Sequence, residues 1–175
     1  MRKGRKGFTM IELVVVVVII AILASMITPQ VVRLIAKGRD ARRIADINEI
    51  ENALRAYYSD YGDHPPNTDN DHGGWDCTCD GVFIQPLVSG AYLTELPKDP
   101  INSHSGFSVP YGYVYNYYRY AAGSHGMPTE RGNFAVLGLR KFEVLPKQSF
   151  DTTQISGVTK NWGNEFDYYV ILFQK

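Results

Sequence analysis

The chain begins polar, turns apolar for about twenty residues, and then settles into a mixed pattern. From Phe8 to Ile27 the only charged residue is Glu12, and Val14 to Val18 form an unbroken valine run. About 20 residues at ~1.5 Å each make a helix of roughly 30 Å. That is the thickness of a bilayer's hydrocarbon core, about 30 Å. Residues 8–29 are therefore predicted to form a membrane-spanning helix. Farther on, Ile44, Ile47, Ile50, Leu54, Tyr57 and Tyr61 recur three or four apart. This spacing predicts an amphipathic helix over 30–62. Gly62 suits its end, and Pro65-Pro66 prevent continuation. As one rod, Thr9 to Tyr61 would reach about 80 Å. Pro29 lacks an N–H and is predicted to kink the rod. Gly38 is a second soft point, at ~1 kcal/mol relative to alanine.

The texture changes after Pro66. "NTDNDHGGWDCTCDG" reads as a turn-rich loop, and "GVFIQPLVSGAYLTELPKDP" as a short helix with a connector. "PYGYVYNYYRYA" places Tyr111, Tyr113, Tyr115 and Tyr117 on one face of a strand. "NFAVLGLRKFEV" and "EFDYYVILFQK" read as two more strands. The expected fold is α+β: a long amino-terminal helix packed on a small antiparallel sheet of about three strands within 63–175.

Composition changes this picture little. The 175 residues are 45% hydrophobic and 21% charged, with formal net charge zero. A neutral chain has no bulk attraction for nucleic acid. The local asymmetry is more telling. Arg2, Lys3, Arg5 and Lys6 precede the apolar run and predict that its start stays cytoplasmic. The larger part then lies across the membrane, periplasmic or extracellular. Arg33, Lys37, Arg39, Arg42 and Arg43 follow the run. With Asp46, Glu49 and Glu51 they read as a solvated face with local pairs, worth about 0.3–0.5 kcal/mol each.

Candidate chemistry is sparse. No HExxH, GxSxG, Walker or GxGxxG pattern is present. His64, His72, His104 and His125 lie beside Gly, Pro or Ser and read as solvated loop residues. Neither an enzyme nor a small-molecule substrate is expected. Cys77 and Cys79 are the two cysteines. They form a candidate disulfide across one residue, with free thiols, and then metal binding or intersubunit pairing, as the alternatives. In "DNDHGGWDCTCD", Asp69, Asp71 and Asp80 fall at calcium-ligating places of an EF-hand-like loop, and Gly74 at its turn. Gly73 supplies no ligand at place five. The loop is a calcium candidate or an acidic solvated loop.

Glu12 still needs an account, since an acid in a membrane span costs a few kcal/mol on insertion scales. A plain anchor does not use it. A secretory signal would need a small-x-small cut site, which "AILASM" supplies poorly. "KGFTMIEL" resembles the processing motif of type IV pilins and type II secretion pseudopilins, with Gly7, Phe8, Thr9 and Glu12 matching place by place. Pro29 is similar to a proline that family members often carry. The resemblance implies removal of 1–7 by a prepilin peptidase cutting between Gly7 and Phe8, then N-methylation of Phe8. It implies that Glu12 of an incoming subunit, beside Thr9, pairs with the freed amine of another. Implied partners are copies of the chain, minor subunits, the peptidase, the inner-membrane assembly platform and membrane lipid. The implied product is a secretion pseudopilus or type IV pilus. A tethered binding module that never polymerises and a DNA-uptake minor pilin are the alternatives. "LPKDP" and "YGYVYNY" are similar to a region of major pseudopilins, through Leu96, Pro97, Asp99, Pro100, Tyr111 and Tyr113. The spacing is longer here, and that family's carboxyl-terminal calcium loop is not recognisable.

Overall fold

A computed structural model describes residues 7–70, 74–79, 81–103 and 112–174. One helix, α1 (Met10–Tyr61), accounts for 52 residues. It begins at Thr9, whose extended backbone (φ −80°, ψ 151°) lies outside the helix. It ends at Gly62, left-handed at φ 71°, whose N–H donates to the Tyr58 carbonyl at 2.8 Å. Glycine takes that conformation without the penalty a Cβ would incur. The helical assignment runs unbroken through Pro29 and Gly38.

Residues 7–35 are all exposed, and Ala36 is the first buried position. About 26 residues of α1 thus project from the head, a stalk of about 40 Å at ~1.5 Å per residue. From Leu13 to Ile27 its only polar side chain is Ser25, so this part is apolar all round, which suits lipid or other helices rather than water. One window of it has mean hydropathy 3.0 and none of it is buried, so the helix is long and apolar enough to cross a membrane.

The head carries a four-stranded antiparallel sheet in the order β1-β2-β3-β4. The strands are β1 (Asp76–Cys77), β2 (Tyr115–Tyr120), β3 (Phe134–Leu139) and β4 (Tyr168–Phe173). The three longer ones are the strands predicted in "PYGYVYNYYRYA", "NFAVLGLRKFEV" and "EFDYYVILFQK". The fourth, β1, lies inside the turn-rich stretch and is too short to show a period. Helix α2 (Gln85–Ser89) is the predicted short helix.

The sheet is covered on both sides. On one face Tyr115, Tyr117, Leu137, Leu139 and Leu172 meet Ile47, Ile50 and Leu54 of α1 and Leu87 of α2. Each fully buried Leu or Ile contributes about 1.5–3 kcal/mol. The stripe stops short of its predicted end: Tyr61 is 63% exposed, with its ring against Tyr57. On the other face Tyr120, Phe134, Val136 and Tyr169 pack under Trp75, Trp162 and Phe166. Tyr115 and Tyr117 share one face, as their alternation predicts. β2 begins at Tyr115, with Tyr115 and Tyr117 toward the helix and Tyr118 and Tyr120 toward the second core. Tyr111 lies outside the described residues.

Candidate functional site

At the tip of the stalk, Gly7 and Phe8 lie outside the helix, and Phe8 is 87% exposed. The next residues form a reciprocal cap. The Thr9 hydroxyl accepts the Glu12 N–H at 3.3 Å, and Glu12 Oε2 accepts the Thr9 N–H at 2.8 Å and its hydroxyl at 2.7 Å. This satisfies donors that a helix start otherwise leaves bare. The signal was in the sequence: Thr-x-x-Glu before an apolar run is a capping box. Within one chain, then, Glu12 already has a partner through one of its oxygens.

Pro29 sits about three turns above the middle of the apolar run. Its ring nitrogen cannot bond the Ser25 carbonyl. Around it, Thr28 Oγ1 donates to the Ala24 carbonyl at 2.8 Å, and Ser25 Oγ to the Ile22 carbonyl at 2.7 Å. Both hydroxyls are absorbed by the helix itself.

The stalk is anchored where it enters the head. Arg43 is fully buried. It forks onto Asp99, Nε to Oδ2 at 2.6 Å and NH2 to Oδ1 at 3.0 Å. Its NH1 donates to Asp40 and to Glu143, each at 2.7 Å. Tyr113 lies under the guanidinium at 4.5 Å. Asp40 in turn accepts the N–H groups of Glu143, Val144 and Leu145 at 2.9, 2.9 and 3.0 Å. Arg39 Nε holds the outer face of Glu143 at 2.7 Å, and its NH2 also pairs with that carboxylate. Burial opposes the charge of Arg43, yet the bonds to Asp99 and Glu143 outweigh it and raise the guanidinium pKa. Arg39 and then Arg43 hold the Glu143 carboxyl below its ordinary value. Burial holds Asp46 above its own, with the Tyr115 hydroxyl donating at 2.7 Å in partial relief.

This cluster corrects the reading of the basic band as a solvated face. Asp40 and Arg43 are buried, and Arg39 reaches the head; Arg33 and Lys37 stay exposed, and the expected local pairs remain in Arg42, 3.8 Å from Asp46, and in Glu51, which Arg55 holds at 2.7 Å. The signal was a continuation of the stripe: Ala36, Asp40, Arg43, Ile47, Ile50 and Leu54 are alternately four and three apart. Asp99 and Tyr113, the "LPKDP" and "YGY" residues, both converge on Arg43.

The remaining candidates distribute as follows. Cys77 and Cys79 are joined as a disulfide with Cα atoms 5.2 Å apart, inside the favourable range of about 4.4–6.8 Å. Asp71 and Asp80 lie outside the described residues. The Asp69 N–H donates at 3.2 Å to Asp76, a buried carboxylate that also takes the N–H groups of Thr68 and Asn70 at 2.7 and 2.9 Å. The loop is thus organised by an acid the calcium reading did not include. Among the described residues no three metal-ligating side chains converge. His64 corrects the solvated reading of the histidines: it is 4% exposed and packs 5.2 Å from the Tyr58 ring. Burial lowers its pKa. His72 and His104 lie outside the described residues.

Compared with known families, residues 2–28 match the prokaryotic N-terminal methylation motif. That motif marks pilin- and pseudopilin-like prepilins, and the long helix on an antiparallel sheet is a pilin-like arrangement. The protein is thus prepilin-like in its amino-terminal signature and pilin-like in its architecture. No curated protein and no solved structure matches the chain.

Proposed function

We propose that this protein is a structural filament subunit, made as a single-pass precursor in the cytoplasmic membrane with its head on the far side. A prepilin peptidase cuts between Gly7 and Phe8 and methylates the new amine of Phe8. The chain then enters a type II secretion pseudopilus or a type IV pilus through its stalk. One observation carries this reading: a methylation motif ends on a capped, wholly exposed apolar helix of about 40 Å. Such a surface needs lipid before assembly and neighbouring helices after it. The chemistry of Glu12 fits both stages. Its Oε2 is held by Thr9, which leaves Oε1 for the Phe8 ammonium of another copy. A paired charge in an apolar medium costs less than two lone ones.

Glu12→Ala tests the assembly role. The variant should still reach the membrane and be processed, yet yield no filament on overexpression with the assembly machinery. Filaments at the normal level without Glu12 would refute the role, and a tethered binding module would then account better for the chain.

A further inference from the structure

Just below the Arg43 anchor, α1 and residues 144–146 enclose a cleft of about 440 Å³. Gln30, Arg33, Leu34 and Lys37 form its helix wall. They are three and four apart and so share one face. The opposite wall, Val144 to Pro146, is fixed in place because Asp40 holds the N–H groups of residues 143–145. No carboxylate lines the cleft. Its charge is also unspent. Arg39, Arg42 and Arg43 each make ion pairs, whereas among the described residues Arg33 and Lys37 make none, and both are exposed.

Height along the rod gives the cleft its meaning. If the span ends near Thr28, Arg33 stands about 7–8 Å above the hydrocarbon at ~1.5 Å per residue. The headgroup layer is about 5–8 Å deep on each side. Helical side chains lean toward the amino terminus. Arg33 and Lys37 therefore reach down into the headgroups, with Leu34, Val144 and Leu145 beside them as apolar wall. We propose that this cleft seats the phosphate of an anionic membrane lipid. The headgroup would be held by the two cations and its glycerol by the apolar wall, so that the head stands on the membrane at one height before assembly. This rests on reading residues 8–29 as a membrane span.

The test uses the full chain in nanodiscs of equal phosphatidylcholine and phosphatidylglycerol, with native mass spectrometry counting lipids retained on the released protein. Roughly fivefold preference per cation gives phosphatidylglycerol a preference of up to about 30-fold. It should fall to near unity in Arg33→Gln/Lys37→Gln, whose altered residues are exposed and leave the fold intact. Equal retention of the two lipids by the unaltered protein would overturn the proposal. So would a preference that survives in the double variant, loss of the preference in excess inorganic phosphate (a seat for a soluble anion), or recovery of a lipid-free dimer closed over the cleft. Alkaline extraction of the same membranes is read separately. Protein washed out by alkali would defeat the membrane span itself, and with it the lipid seat. Protein retained but indifferent to lipid charge would defeat only the seat.

Discussion

Replacing Arg43 with Met removes the one cation at the centre of the stalk–head junction while keeping most of its apolar length. Of the four hydrogen-bond donors that Asp99 has among the described residues, it would lose two and keep the N–H groups of Ile101 and Asn102 at 2.8 and 3.1 Å. Asp40 keeps its three backbone donors and Glu143 keeps Arg39, so the damage concentrates on Asp99, which is 3% exposed. Removing one partner of a buried pair costs about 3–5 kcal/mol. Arg43→Met with Asp99→Leu should recover about 2 kcal/mol of it, the coupling expected of a charged, bidentate contact. The assay is urea unfolding of the detergent-solubilised chain, followed by tryptophan fluorescence. Trp75 and Trp162 both lie in the far core, so they report unfolding of the whole head rather than of the junction. Arg42→Ala is the control. That pair is exposed on the arginine side and long at 3.8 Å, so its loss should cost no more than about 0.5–1 kcal/mol. If Arg43→Met costs under about 1 kcal/mol, or no more than Arg42→Ala, the junction is not held by this cluster and the reasoning fails.

Other outcomes follow from the head. A Cβ at Gly138 would lie 2.4 Å from the Phe166 ring. Gly138→Ala should therefore cost about 1–3 kcal/mol, and no loss in the same urea assay would mean that Phe166 moves freely. His64 is held below its ordinary pKa by burial. A group lowered in this way favours the fold fully above its unfolded value, about 6.5, and its share is lost as pH falls below that. The urea midpoint should drop between pH 7.5 and 5.5, and His64→Phe should remove most of the drop. Burial also lowers His125, so part of the slope should remain. An unchanged slope in the variant would show His64 to be irrelevant to it.

The long elements were legible because their periods are long. Twelve apolar positions in a row from Leu13 to Ala24, and a three-four spacing from Ile44 to Tyr57, leave little room for another reading of α1. β2, β3 and β4 were legible as apolar stretches bounded by turns. β1 was not, because two residues carry no alternation and its pairing with β2 is set by the partner strand. The second core was hidden for a related reason. Tyr118 and Tyr120 look like the polar-rim side of a half-buried strand until Trp75, Trp162 and Phe166 arrive from distant loops. Arg43 was missed because charge was read as solvent exposure, although its place in the stripe was visible. The capping box is legible in Thr9-x-x-Glu12, whose place in the family motif points instead to a partner for Glu12 in another molecule. The chain satisfies it locally first.

Across the account, the amino terminus of the matured chain decides most. Intact-mass and terminal-peptide mass spectrometry of the protein recovered from membranes and from sheared filaments should give a chain beginning at N-methylated Phe8. A chain in both fractions that retains Gly7, or that is cut beyond Thr9, would contradict the prepilin reading and leave the Glu12–amine pairing without its amine.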